Sequence, residues 1–167
     1  MKLGITGHQR LPAAEVWEWV RHELARVFEQ QETRGVEAYS SLAIGADQEF
    51  ARIAIDHGAY LRVIVPCSGY EVTFKTQDEL ALYRYLLSKA SSVDLLDYQQ
   101  PSEEAFMAAG KKIVDTVDCL VAVWNGDEAA GTGGTDDAVA YAVSRRTPVI
   151  HINPVARTVA TLPRATE

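Results

Sequence analysis

Cysteine is scarce in this sequence, with only Cys67 and Cys119 among 167 residues. Each lies beside an apolar run that is typical of a strand, so the pair indicates neither a disulfide framework nor a metal-ligand cluster, and we interpret both as core thiols. Histidine adds no metal signal, because no carboxylate or cysteine stands at metal-ligand spacing from His22, His57 or His151. We therefore expect neither a bound metal ion nor a cofactor.

The sequence also has fewer basic than acidic residues, and it lacks long apolar runs. The 16 basic residues are outnumbered by 23 acidic ones, which gives a net charge of −7. Because non-specific affinity for nucleic acid comes from Lys and Arg that neutralise phosphates, nucleic acid is not an expected partner, although a local basic patch stays open. The apolar runs are too short to span a membrane, and the first residues lack the pattern of a signal peptide. We expect a cytoplasmic protein with no membrane partner.

The composition is that of one globular domain, with 47% hydrophobic and 23% charged residues. Short apolar runs alternate with longer amphipathic ones, as expected when parallel strands are joined by helices on both faces of a sheet. We predict an α/β fold, a Rossmann-like three-layer sandwich with a mostly parallel sheet of about six strands. A single domain would cover residues 1–153, and 154–167 would form an irregular tail. The predicted strands are 2–6, 36–42, 60–65, 93–97, 119–124 and 147–152.

In open parallel sheets of this kind, ligands lie outside the carboxyl ends of the strands, where helix N-termini present free N–H groups. The loop after the fifth predicted strand carries the strongest signal. Its glycines let the main chain approach an anion closely, and its threonines can donate hydroxyl groups and cap the next helix. We predict phosphate or carboxylate binding here, with a surface turn as the alternative, by Gly131, Thr132, Gly133, Gly134 and Thr135.

This loop matches neither of the two common nucleotide patterns. It lacks the Gly-Lys-Ser/Thr ending of a P-loop, and no G-x-G-x-x-G follows the first strand. ATP hydrolysis and dinucleotide redox chemistry therefore lose support.

Three other strand ends supply candidate ligand contacts. The planar guanidinium of Arg10 suits a phosphate, with an ordinary surface position as the alternative. Asp47 opens a predicted helix and either complements the helix dipole or bonds a ribose or base. Trp124 either stacks on a base or simply packs. The full set of these contacts is Gly7, His8, Gln9, Arg10, Gly45, Ala46, Asp47, Trp124, Asn125 and Gly126. Tyr70 lies in the loop after the third strand, where packing is favoured over a lid.

Two acids, Asp136 and Asp137, follow the glycine-threonine loop. In the first turn of a helix they stabilise it against the helix dipole. A carboxylate just beyond a phosphate-binding loop is also where an acid for glycosidic-bond cleavage would stand. Asp136 and Asp137 are therefore tentative catalytic candidates.

Taken in order, the segments 4–10, 43–47, 65–66, 124–126 and 131–135 resemble those of the SLOG superfamily, which is named after the Smf/DprA and LOG proteins. The resemblance covers residues 1 to about 153. It implies a Rossmann-like fold that binds a nucleotide or nucleotide-derived ligand, with Gly7, Arg10, Gly45, Asp47 and the loop 131–135 as contacts.

LOG enzymes remove the base from nucleoside monophosphates and carry a Gly-Gly-x-Gly-Thr loop followed by glutamates. The present chain has Gly-Thr-Gly-Gly-Thr followed by Asp136 and Asp137, so the catalytic glutamate is missing. Aspartate is one methylene shorter, and catalytic geometry tolerates little displacement. Enzymatic activity therefore stays open.

Three functions follow from these observations. The first is a binding or sensor domain for a small nucleotide or nucleotide-derived ligand. The second is a nucleoside monophosphate N-glycosidase that uses Asp136 or Asp137, and the third is an interaction domain without a small ligand. The amphipathic helices allow a homo-oligomer but do not specify one.

Overall fold

The order of strands in the sheet is the feature that positions everything else in this fold. The computed structural model describes residues 1–31, 35–127 and 134–162. Within these ranges, a seven-stranded sheet and five α-helices form. They are β1 (Lys2–Gly7), α1 (Ala14–Glu29), β2 (Glu37–Ser40), α2 (Ala46–Asp56), β3 (Tyr60–Val65), α3 (Gln77–Ser88), β4 (Ser92–Leu95), α4 (Glu103–Thr116), β5 (Cys119–Val123), α5 (Thr135–Ser144), β6 (Val149–Asn153) and β7 (Thr158–Leu162). A short 3-10 helix spans Tyr70–Thr73 between β3 and α3.

The strands lie in the order β4-β3-β2-β1-β5-β6-β7. All neighbours are parallel except β6 and β7, which are antiparallel. The chain moves outward from β1 to β4 and then returns to the other side of β1 with β5, where Leu3 pairs with Cys119 and Gly7 with Val123. This reversal is the topological switch point, outside which ligands bind in open α/β sheets. The predicted mostly parallel, Rossmann-like sheet is confirmed.

The hydrophobic core lies on both faces of the central strands. All five residues of β5 are buried, as expected for a strand that is covered on both sides. Val121 packs with Leu3 and Phe50 on the face covered by α1 and α2. Leu120 packs with Ile113 on the opposite face, against α4 and α5. The alternation of side chains along β5 therefore joins the three layers.

One correction concerns the end of the chain, which we predicted to be an irregular tail over 154–167. Residues 158–162 instead form β7 on the edge of the sheet, which raises the strand number from about six to seven. The Asn153 side-chain oxygen accepts the N–H groups of Val155 and Ala156, at 3.0 and 2.9 Å, and turns the chain back. Because β7 is almost entirely exposed, it lacks the apolar pattern that marks a buried strand.

Helix starts follow local side-chain chemistry. The Ser102 hydroxyl accepts the N–H of Ala105 at 3.1 Å, so the predicted cap of α4 is confirmed. Thr76 and Glu79 form a reciprocal capping box at the start of α3. No helix within the described ranges is both long enough and apolar enough to cross a membrane.

Two glycines beside α4, Gly4 of β1 and Gly110 of α4 itself, should respond oppositely to alanine. A Cβ on Gly4 would lie 2.6 Å from Cγ2 of Ile113, whereas one on Gly110 would meet only Cβ of Ala138, at 3.9 Å. We expect Gly4→Ala to destabilise the fold by about 1–3 kcal/mol through overpacking. Gly110→Ala should stabilise it by up to about 1 kcal/mol, because alanine favours the helix. Urea denaturation checks both, and equal effects would contradict the described contact of α4 with β1.

Candidate functional site

A cavity of about 540 Å³ opens at the switch point, beyond the carboxyl ends of β1 and β5. Its walls come from the ends of β1, β2, β3 and β5, from one face of α4 and from the start of α5. Nine of the predicted site residues line it. They are Gly7, His8, Gln9, Asp47, Trp124, Asn125, Gly134, Thr135 and Asp136.

The end of β1 is packed too tightly for a side chain at residue 7. A Cβ on Gly7 would lie 2.6 Å from Cβ of Ala46 and 2.9 Å from the carbonyl oxygen of Val123. Gly45 has φ 85°, and a Cβ there would collide with the main chain of Gln9. Gly7 at the end of β1 and Gly45 at the start of α2 thus let α2 and β5 close directly around the first loop.

His8 links the loops that follow β1 and β5. Its Nε2 accepts the main-chain N–H of Asn125 at 3.1 Å, and the main-chain N–H of His8 donates to the carbonyl of Val123 at 2.9 Å. In a neutral imidazole whose Nε2 accepts, Nδ1 carries the proton and is a donor. His8 therefore offers a hydrogen-bond donor beside the cavity while it holds the two loops together.

The loop after β5 is fixed by its own polar groups. Trp124 donates from Nε1 to the carbonyl of Asp127 at 2.8 Å, and its ring lies 5.3 Å from that of His151. Asn125 donates to the Asp127 carboxylate at 2.7 Å and accepts the Asp127 N–H at 3.1 Å. Trp124 thus packs against His151 and also lines the cavity, and its stacking on a base stays a prediction.

Asp47 holds the loop between β2 and α2. Its carboxylate accepts the N–H of Ser41 at 3.1 Å and the hydroxyl of Ser40 at 3.3 Å, and the N–H of Ala43 also bonds to it. Leu42, between these donors, has φ 57°. Asp47 is only 8% exposed, and this burial outweighs the hydrogen bonds and raises its pKa to about 7. The carboxyl group therefore shapes the wall that Ser41 and Ala43 contribute to the cavity.

Arg10 lies apart from the cavity lining. Its side chain is 73% exposed and pairs with Glu79 at 3.3 Å, in the first turn of α3. Gly45, Ala46, Gly126 and Asp137 likewise do not line the cavity. The structure thus does not bring the proposed phosphate-binding guanidinium to the cavity wall.

The glycine-threonine loop is described only from Gly134 onward. Gly134 and Thr135 line the cavity at the start of α5, where the first turn carries the positive end of the helix dipole. Gly131, Thr132 and Gly133 lie outside the described residues, and anion binding by them stays a prediction.

Sequence reasoning missed an aromatic end of the cavity. Tyr70 lines it and is 4% exposed, and Phe106 and Met107 of α4 join it. A signal existed in α4, where Phe106, Gly110 and Ile113 stand at helical spacing with a small residue in the middle. The structure supports packing rather than a mobile lid for Tyr70, but it makes that packing part of the cavity wall.

The charge of the lining is one-sided. Asp47, Asp127 and Asp136 contribute carboxyl groups, whereas no Lys or Arg appears among the described residues that line the cavity. Within the same described ranges, no group of three or more His, Cys, Asp and Glu residues is placed to hold a metal ion.

The Asp47 carboxyl should make stability depend on pH. Its pKa is about 7 in the folded protein and about 4 in an unfolded chain. The folded state therefore binds this proton more tightly, and the resulting stabilisation is complete below about pH 4 and is lost as the pH rises to about 7. We expect the Tm of the wild type to fall relative to that of Asp47→Asn across this interval. Thermal denaturation at a series of pH values measures it, and parallel curves would contradict the assignment.

Comparisons with known proteins place the fold. No protein-family model matches the chain, and no curated protein matches its sequence. Among solved structures, DNA processing protein A from Helicobacter pylori is 15% identical, with a TM-score of 0.64, over 90% of this chain and 64% of that one. The corresponding protein from Streptococcus pneumoniae is also 15% identical, with a TM-score of 0.63, over 90% of this chain and 49% of that one.

A molybdenum cofactor binding protein from Rippkaea orientalis is 14% identical, with a TM-score of 0.56, over 90% of this chain and 74% of that one. This chain spans less than two thirds of the length of either DNA processing protein. At these identities the likeness concerns architecture alone. The chain has the Rossmann-like fold of the DNA processing proteins and of the molybdenum cofactor binding protein, which is the fold that the resemblance to the SLOG superfamily implies.

Proposed function

We propose that this protein binds a small nucleotide or nucleotide-derived ligand in the cavity at the switch point. The observation that carries the proposal is the cavity itself. Its volume of about 540 Å³ lies within the range of about 300–1,000 Å³ that is typical of small-molecule sites. Its position outside the carboxyl ends of β1 and β5 is the one at which open α/β sheets bind ligands.

The lining offers separate surfaces for the parts of such a molecule. Tyr70 and Phe106 form an aromatic end that suits a flat ring, since aromatic side chains stack on or edge against such rings. His8 and Asn125 supply polar groups for a sugar. The N-terminus of α5 suits a phosphate, because the first turn of a helix presents N–H groups and the positive end of its dipole.

The structural neighbours point to two kinds of ligand. One neighbour is a protein that binds molybdenum cofactor, and another was solved to describe how it binds single-stranded DNA. We favour the small molecule, because sequence-independent binding of single strands uses a basic groove with stacking aromatics. The net charge of −7 and the carboxyl groups of the cavity oppose such binding. The absence of a nucleic acid partner nevertheless stays a prediction.

Ligand binding can be tested by thermal shift and calorimetry with nucleosides, nucleoside mono-, di- and triphosphates and nucleotide sugars. At a ligand concentration of about 100 Kd, binding should add about 2.7 kcal/mol of stability. This raises Tm by roughly 5–10 °C for a chain of this size. A folded wild type that responds to none of these compounds would contradict the proposal.

Two variants provide matched controls for this experiment. Met107→Trp adds a large ring on the cavity face of α4 and should abolish the thermal shift, whereas Lys111→Trp adds the same ring at an exposed position of the same helix and should preserve it.

Fluorescence anisotropy with a labelled oligodeoxythymidine tests binding of single-stranded DNA. Tight, salt-sensitive binding of that strand would overturn our preference for a small molecule.

Hydrolysis of the N-glycosidic bond is the second candidate function. It is favoured by the position of Asp136, which lines the cavity at the start of α5, whereas Asp137 does not line it. If the protein releases free base from a nucleoside monophosphate, Asp136→Asn should lower the rate by about 10²–10⁴-fold. Chromatography of the released base measures the rate. Asp137→Asn is the matched control, and equal losses in both variants would exclude the role assigned to Asp136.

A further inference from the structure

Tyr70 is a buried cavity residue whose position is fixed before any ligand arrives. It begins the 3-10 helix after β3 and is 4% exposed. Its ring makes edge contacts with Phe74, Tyr83 and Phe106, with ring centroids 5.4, 5.7 and 6.3 Å away. Such a cluster holds a ring in one orientation, because the surrounding rings fill the space that a rotation needs.

The Tyr70 hydroxyl lacks a partner in the part of the chain that the structure describes. The hydrogen bond that Tyr70 does form uses its main-chain carbonyl, which accepts the Thr73 hydroxyl at 2.8 Å. The hydroxyl oxygen does not belong to the fully buried, unpartnered side-chain atoms of the described residues, so it is accessible even though the side chain as a whole is buried. Because Tyr70 lines the cavity, an atom bound in the cavity can satisfy it.

The surroundings of Tyr70 define the chemistry of that atom. Burial, and then the charge of nearby Asp47, hold the pKa of Tyr70 well above its ordinary value, so its hydroxyl stays protonated and can donate. An anionic acceptor is disfavoured here, because its charge would leave water without a Lys or Arg partner among the described residues that line the cavity. Pro66 and Phe106 provide apolar surface on the same side of the cavity. A neutral acceptor on a flat ring fits these conditions, and a phosphate or carboxylate does not.

We propose that Tyr70 determines which ring the site accepts. The ligand places an uncharged nitrogen heterocycle between Pro66, Tyr70 and Phe106, and a ring nitrogen or exocyclic carbonyl accepts a hydrogen bond from the Tyr70 hydroxyl. Any phosphate then lies towards the start of α5, where Gly134 and Thr135 also line the cavity. This inference rests on the proposed function and assigns the ring-binding end of the same cavity.

The test compares Tyr70→Phe with the wild type in calorimetric titrations with AMP, GMP, CMP and UMP. The variant removes only the hydroxyl, so affinity for the monophosphate that the wild type prefers should fall roughly 3- to 10-fold, in line with the loss of one hydrogen bond. The Tm of the unliganded variant should equal or exceed that of the wild type, because the hydroxyl makes no bond within the described protein. Tyr83→Phe is the matched control, since Tyr83 belongs to the same aromatic cluster but does not line the cavity.

A second measurement identifies the ring atom. Deaza analogues of the preferred monophosphate each replace one ring nitrogen with a C–H group, and a keto-to-H analogue removes an exocyclic acceptor. One of these analogues should bind the wild type more weakly than the parent compound does, and Tyr70→Phe should bind that analogue and the parent equally. This coupling would not arise from a purely structural role of the hydroxyl.

The outcomes separate the two proposals. If the wild type binds none of the monophosphates or the wider nucleotide panel, the proposed function fails and the assignment of Tyr70 fails with it. If the wild type binds and Tyr70→Phe binds equally well, the assignment of Tyr70 alone is wrong. A lower Tm of Tyr70→Phe with unchanged affinity would likewise show a structural hydroxyl and overturn the inference.

Discussion

The two glycines of β1, Gly4 and Gly7, are the constraint on which the rest of this structure depends. Gly4 lets Ile113 of α4 approach the strand on one face, and Gly7 lets α2 and β5 close around its end. A methyl group at either position would lie 2.6 Å from a carbon atom of the neighbouring helix, so that helix would have to move. The switch point is therefore narrow at the sheet and opens above it, between α4 and the loops. The cavity is the space that remains once these close contacts are made.

Polar contacts then give the cavity a fixed shape on each side. The His8–Asn125 hydrogen bond joins the first and fifth strand ends, and Asp47 gathers the N–H groups of the loop after β2. The contacts of Tyr70 with Phe74 and Tyr83 fix the part of the wall to which Tyr70 belongs. A site whose walls are held in place before binding loses little conformational entropy when a ligand enters, which favours small ligands that make few contacts.

Much of this arrangement could be predicted from local sequence, and the failures have a common cause. Apolar runs located six of the seven strands, and Ser102 marked the start of α4, because apolar patterning and capping act over a few residues. Arg10 was expected to face a ligand, but it pairs with Glu79, 69 residues later in the chain. Tyr70 was expected to pack, but its place beside Phe106 depends on a contact between distant segments. Contacts of this length leave no periodic pattern, and neither does an exposed edge strand such as β7.

The bond between the loops after β1 and β5 places different demands on its two partners. Position 8 contributes a side-chain acceptor, whereas position 125 contributes its main-chain N–H. Any residue except proline can therefore occupy position 125 without breaking this link. The side chain at position 125 has a separate task, because its two hydrogen bonds to Asp127 fix the loop after β5, so the link between the loops and the shape of the second loop depend on different parts of one residue.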